Sequence, residues 1–371
     1  MNLKVKRIIL SAMLVVALLS LLLVGACKDT STPVTPTTTP TTPTDAPAEA
    51  EKIEWKLIYF APAGDFYQRM AVDYCDRVRE MSNGRLDITP YPGGAIVPAG
   101  EMLDAVSNGT VEMGAILSAY FSGVMPVSNL VYGFPATYRS YADKVIHHQF
   151  FGFDEIQAEA LLDQGGVIHV GTDSVDGGYT LISKKKIETV EDFKGMKIRA
   201  TGAVGLVFEE LGASVVFMAG SELYTALATG VIDAVVYGGP QTELDQMKFG
   251  EVCDYMIMPE LLTAHGHNSY IVNPEAYATL PDDLKAMLKN VNDVKMGDYY
   301  AYAKWSNQNA LNTYTANGQI EIVTLPPEEF DKIAAAGVAA LAKLVAENDD
   351  EYLTRGADSL TEFMKWRGYW K

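Results

Sequence analysis

The sequence predicts an α/β protein built as two similar lobes, with a cleft between them and a long helical C-terminal part. Three observations carry this expectation. Strand-like and helix-like runs alternate from residue 53 onward. The same alternation restarts near residue 175. From about residue 281 the pattern becomes mostly helical.

Each element has a local reason. "IEWKLIYFAP" (53–62) alternates and is rich in β-branched and aromatic residues, so it reads as a strand. "DFYQRMAVDYCDRVREMSN" spaces its apolar residues helically and stops at "SNG". "GRLDITPYPGG" reads as a second strand, and "PAGEMLDAVSNGTVEMGAIL" as a helix, a glycine turn and a third strand. This β-α-β-α-β order predicts a largely parallel sheet. In the second lobe, "GGYTLISKK", "MKIRATG", "SVVFM" and "IDAVVYGGP" read as strands. Between them lie "TVEDFKG", a short helix capped by Thr189, then "AVGLVFEELGA", and then "SELYTALATGV", opened by Ser221 with Glu222 in its first turn. "GQIEIVTL" (318–325) is the one strand expected in the tail.

The chain has 371 residues, 48% of them apolar, so it can bury a sizeable core in one large or two ordinary domains. Its formal net charge is −18. No basic patch is present, which argues against nucleic acid as a partner and against adsorption on anionic lipid. An anionic ligand would need a local cation.

The N-terminus places the protein outside the cytoplasm. Lys4, Lys6 and Arg7 precede an apolar run over 8–24, and then comes Val24-Gly25-Ala26-Cys27. The run reaches only the lower limit of a membrane span, and its flanks fit an export signal better. Gly25 and Ala26 before a cysteine resemble a bacterial lipobox, in which cleavage precedes Cys27 and the thiol is lipidated. The Thr/Pro-rich stretch that follows has no apolar period and reads as a semi-rigid tether. Residues 1–26 are thus expected to be a lipoprotein signal and 27–51 a tether. Cys75 and Cys253 are expected to be separate buried thiols.

Motifs for covalent chemistry are missing. The chain has no GxSxG, GxxxxGK[ST], HExxH or CxxC. His265 and His267 lack an evident third ligand, so no metal site and no cofactor are expected. The distinctive residue is Arg199 in "FKGMKIRATG", a guanidinium in a strand just before a glycine turn. Its fixed parallel donors suit a carboxylate, which lysine cannot match.

"TVEDFKGMKIRATG…LGASVVFMAGSELYTALATGVIDAVVYGGP" resembles the signature of the DctP-type solute-binding proteins of TRAP (tripartite ATP-independent periplasmic) transporters. "SNGRLDITPYPGG", "EMLDAVSNGTVEMG" and "NPEAYATLPDDLKAML" resemble further blocks of that family, in family order, over roughly residues 53–350. The resemblance implies a two-lobed, periplasmic-binding-protein-like fold. It implies 52–175 plus about 263–300 as the first lobe, and 176–262 plus about 301–371 as the second. It also implies that Arg199 pairs with the carboxylate of an organic acid, which a membrane permease then receives. Tyr179 stands where sialic-acid-type members carry a second arginine. Tyr237 keeps the aromatic of the metal-using members' "DAxEWxGP", but Val236 replaces the glutamate. A monocarboxylate with an apolar body and no metal ion is therefore expected. Phe66, Ser118 and Tyr120 are candidate cleft residues by position, and Gly220 is expected to leave extra room. The same residues leave open a ligand sensor feeding a signalling receptor, or a periplasmic enzyme.

The mature protein is expected to begin at a lipidated Cys27. Mass spectrometry of membrane fractions checks this: Cys27→Ala should release the protein or stall its processing, and a chain retaining residues 1–26 would contradict the assignment.

Overall fold

The structure, a computed structural model, describes residues 52–64, 66–174, 178–262, 267–292 and 296–369. The export signal, Cys27 and the tether lie outside the described residues, as does His265.

The first sheet opens as the sequence predicts. Strands β1 (Ile53–Tyr59), β2 (Leu86–Tyr91) and β3 (Met113–Leu117) alternate with helices α1 (Phe66–Met81) and α2 (Met102–Ser107). β1 pairs in parallel with both β2 and β3. Helix α1 buries Met70, Ala71, Tyr74, Cys75 and Val78 at helical spacing. It ends at Asn83 and Gly84, both at positive φ, so the glycine after "SN" supplies a left-handed stop.

The chain then forms α3 (Tyr141–Phe150), α4 (Phe153–Asp163) and β4 (Ile168–Ser174), and passes to a second sheet. This sheet contains β5 (Tyr179–Ser183), β6 (Lys197–Arg199), β7 (Ser214–Val216) and β8 (Ala234–Val236). Helix α5 (Gly202–Glu210) joins β6 to β7, and α6 (Gly220–Thr229) joins β7 to β8. Thr189 caps a 3-10 turn, Val190–Phe193, as expected; Asp192 returns the bond from the Thr189 amide at 2.9 Å. The cap expected at Ser221 is displaced. Helix α6 starts at Gly220 after Ala219, whose amide donates to Glu222 at 3.1 Å. Glu222 satisfies that amide, so the serine is not needed as a cap.

Three further strands are not evident from the alternation in the sequence. β4 and β10 (His267–Val272) join the first sheet, while β9 (Tyr255–Leu262) joins the second. The orders are β2-β1-β3-β10-β4 and β11-β9-β5-β8-β6-β7, where β11 is Glu321–Thr324. The sheets are mixed rather than largely parallel. β10 runs against β3 and β4, and β5 against β8 and β9, because these strands enter from crossings between the two halves.

Short helices α7 (Pro274–Thr279) and α8 (Asp282–Asn290) follow β10, and then the long helix α9 (Met296–Ala316). α9 touches both halves. Tyr302 stacks on Phe66 with ring centroids 5.4 Å apart, whereas Tyr314 donates to the Leu244 carbonyl at 2.8 Å. Helices α10 (Pro327–Glu347) and α11 (Glu351–Trp366) complete the chain.

The expectation that 301–371 stays with the second lobe needs correction at its end. Ser359 on α11 bonds His147 on α3 at 3.0 Å, and Phe363 packs on that imidazole at 5.3 Å. The apolar face of α11, including Leu353, Leu360 and Phe363, is buried against first-lobe helices. Cys75 and Cys253 are free buried thiols, and burial pushes Cys253 up to about 12.

A buried polar layer lies under β4. Burial holds His147 well below its usual range and lowers His148 and His169 as well. Burial also pushes Asp173 up to about 7 and Lys144 down to about 7. Asp154, paired with His148 at 2.7 Å, sits at about 2, outside the window considered next.

Below about pH 6.5 the unfolded chain gains protons on these imidazoles that the folded chain resists, and only Asp173 acts in the opposite sense. Stability should therefore fall on acidification from about pH 6.5 to about 5.5, by up to about 1.4 kcal/mol per net proton per pH unit. Thermal melts across that window check the sign; a rising Tm would contradict it.

Candidate functional site

The second sheet brings the carboxyl ends of three strands together at Arg199. Arg199 closes β6, whose neighbours are β7 and β8, with Arg199 opposite Val216 and Val235. In open α/β sheets, ligand crevices form at such strand ends. The side chain is 2% exposed. Its Nε donates to the Met218 carbonyl just past β7 at 3.1 Å, and Nη1 donates to the Val236 carbonyl ending β8 at 2.8 Å. Nη2 reaches the Tyr120 hydroxyl across the cleft at 3.4 Å. The guanidinium also lies over the Tyr237 ring, 5.3 Å from its centroid.

All of these contacts are neutral. Among the described residues no carboxylate pairs with Arg199, and one N–H on each terminal nitrogen has no protein acceptor. A buried charge without a counter-ion is costly, so the arrangement favours an incoming anion.

The cavity at Arg199 is small, about 20 Å³, and both lobes line it. The second lobe contributes Tyr179, Tyr237, Val236 and the start of α5. The first lobe contributes Phe60 after β1, Leu117 at the end of β3, and Tyr67, Tyr120 and Tyr132. Tyr132 meets Tyr179 edge-on at 6.0 Å. Its hydroxyl is buried without a hydrogen-bond partner among the described residues, and burial raises its pKa well above the phenol range. It therefore stays protonated and can donate to a ligand oxygen.

The structure brings together four of the residues expected from sequence: Arg199, Tyr179, Tyr237 and Tyr120. The other three lie elsewhere. Phe66 opens α1 and stacks on Tyr302, leaving its neighbour Tyr67 to face the cavity. Ser118 points into the first-lobe interior, where its hydroxyl joins Ser269 at 2.9 Å and Gln157 at 3.1 Å. Gly220 does not leave room. A Cβ there would meet the Tyr237 hydroxyl at 2.4 Å, so the space is already filled by that phenol. Phe60, Leu117 and Tyr132 were missed. The first two end strands that the sequence does reveal, and strand ends were the available signal. Tyr132 lies in a 3-10-rich connection with no periodicity to expose it.

Among the described residues no carboxylate lines the cavity. The nearby Glu243 is buried and committed: its oxygens accept from the amides of Tyr237 and Gly238 and from the Thr180 hydroxyl at 2.7 Å. The residues present do not fit a hard cation, which needs several oxygen ligands.

A cleft between two mixed α/β sheets, with a buried arginine at its base that has no carboxylate partner among the described residues, is the architecture of a solute-binding protein. The chain matches the family model for bacterial extracellular solute-binding proteins, family 7 (DctP), over residues 58–348. It belongs to that family, whose members are receptors and not enzymes. It is 30% identical over 227 residues to a monocarboxylate 2-oxoacid-binding periplasmic protein of Nostoc, a match covering 57% of this chain and 58% of that one. It is 27% identical over 288 residues to a C4-dicarboxylate-binding periplasmic protein of Rhodobacter capsulatus, covering 76% and 84%. A crystal structure of a TRAP periplasmic solute-binding protein from Pseudoalteromonas atlantica, with bound sodium and pyruvate, superposes with a TM-score of 0.76. That pair is 27% identical and covers 86% of this chain and 96% of the other.

Gly220→Ala tests the packing behind Tyr237. The added methyl forces the phenol off its seat beside Arg199. Calorimetry with a bound acid is expected to show at least about tenfold weaker affinity, equivalent to about 1.4 kcal/mol, with the fold retained by circular dichroism. Unchanged affinity would show that Tyr237 is not fixed by this contact.

Proposed function

We propose that this protein captures a monocarboxylate outside the cytoplasm and delivers it to the membrane subunits of a TRAP-type transporter. The observation that carries the reading is Arg199, buried, oriented by two carbonyls and lacking a counter-ion among the described residues. A ligand carboxylate fits the free N–H groups of both terminal nitrogens as a bidentate partner. The Tyr132 hydroxyl supplies a donor for an oxo or hydroxyl oxygen next to it. Tyr179 and Tyr237 supply apolar ring faces.

Several features support one charge rather than two. Among the described residues the cavity holds a single arginine, and by the family resemblance Tyr179 stands where other members carry a second. A dicarboxylate would bury an unpaired charge. The 2-oxoacid specificity named for the Nostoc relative agrees with this choice, whereas the Rhodobacter relative is named for dicarboxylates. The pyruvate of the Pseudoalteromonas structure is accompanied by sodium. Here Val236 offers no side-chain oxygen and Glu243 is committed to its own hydrogen bonds, so the acid is held without a metal ion.

Residues 52–175 with about 263–300, and 176–262 with the tail up to α10, act as the two lobes. Closure of the two lobes buries the acid and forms the surface that the permease recognises. The lipid on Cys27 and the tether keep the receptor at the membrane.

Arg199→Ala is expected to weaken acid binding by about 30-fold to several thousand-fold, equivalent to about 2–5 kcal/mol. Arg199→Lys should fail nearly as badly, because one ammonium cannot reproduce the fork. Calorimetry with lactate, pyruvate, branched 2-oxo acids and succinate, with and without EDTA, checks the reading. Tight succinate binding, loss of binding on chelation, or an Arg199→Ala variant within about threefold of wild type would each overturn it.

A further inference from the structure

The cavity at Arg199 is only about 20 Å³, the room of about one or two water molecules. Beside it lies a second, more open groove of about 320 Å³. The two share a wall, formed by Tyr120 and Thr201. The groove also spans both lobes, with Ser122 and Asn129 on one side and Leu206, Val215 and Phe217 on the other.

Its floor is shaped by small residues. A Cβ on Gly202 would meet the Ala119 methyl at 3.4 Å and the Asn129 carbonyl at 3.5 Å, so the start of α5 comes close to the first lobe. Phe217, 60% exposed, meets Tyr120 edge-on at 5.1 Å. The Tyr120 ring thus has the arginine cavity on one side and the exposed phenylalanine on the other. An exposed aromatic at the mouth of a cleft is costly in water and useful to a ligand that covers it. Glu209, an exposed carboxylate, also lines the groove.

We propose that this groove is an outer subsite of the same cleft, and that the transported acid is an elongated monocarboxylate. Its carboxylate sits on Arg199, and its apolar body passes Tyr120 to lie on Leu206, Val215 and Phe217. The assignment rests on the carboxylate reading of Arg199 and extends it. The subsite favours chain length or an aryl group, and Glu209 repels an acid whose far end is also anionic. Phe217 and Glu209 are specificity residues here, and both are exposed enough to be changed without disturbing the core.

The test is calorimetry on the purified protein with straight-chain 2-oxo acids of about three to eight carbons and a matching phenyl-substituted acid. Affinity is expected to rise by about fourfold for each methylene that enters the groove. Phe217→Ala should reduce the advantage of the longest acids over pyruvate by about tenfold. Glu209→Gln should narrow the discrimination between a long monocarboxylate and the dicarboxylate of equal length. Three results overturn the subsite: binding of pyruvate with no gain on lengthening, a Phe217→Ala variant that keeps the full length dependence, or a Glu209→Gln variant that leaves the discrimination unchanged. If no acid in the series binds, the carboxylate reading of Arg199 falls together with the subsite, and this outcome is distinct from the first three.

Discussion

A guanidinium has been taken out of water and given only neutral partners among the described residues, and much of the second lobe's architecture follows from that. Arg199 is fixed because the strands that end beside it place two carbonyls at hydrogen-bond distance, Met218 at 3.1 Å and Val236 at 2.8 Å. Those carbonyls orient the fork without neutralising it. Had a carboxylate been placed there, the site would be an internal ion pair with little to offer a ligand. The register of β6 with β7 and β8 therefore fixes the placement of this charge, since a one-residue slip would turn the arginine to the other face of the sheet.

The surroundings of that charge are mostly phenols. Tyr120, Tyr132, Tyr179 and Tyr237 all border the cavity. Each presents an apolar ring, and the Tyr132 hydroxyl has no partner among the described residues, so the cavity offers ring faces and a donor without a competing charge. The position of Tyr237 depends in turn on a missing side chain at Gly220, and the turn that carries Tyr237 is held from behind by Glu243 through two backbone amides. A carboxylate close to a buried guanidinium would ordinarily pair with it. Here it is occupied by its own N–H and hydroxyl partners.

Much of this was legible in the sequence where the signal is local. Strands with clear alternation, the Thr189 cap and the arginine in "KIR" stand where the pattern puts them. Long-range effects were not legible. β4, β9 and β10 are strands because of the partners they meet after the chain crosses between sheets, and no local period announces that. Ser118 looked like a cleft residue because it follows β3, but the last turn of the backbone rotates it inward onto Ser269 and Gln157. Gly220 was misread in the same way. A glycine in sequence suggests space, whereas in the fold it marks the place where another side chain arrives.

The connectivity has a consequence for how such a molecule can be taken apart. β10 belongs to the first sheet but follows nine strands later than β1, and α11 returns to the first half after α10 has packed beside the second. Neither half is one continuous stretch of chain. A single cut anywhere between residues 60 and 350 leaves both fragments with an incomplete sheet or an uncovered helix face. Halves of two such proteins therefore cannot be exchanged at one junction, and recombination that yields a working hybrid has to join the chain at several crossings together.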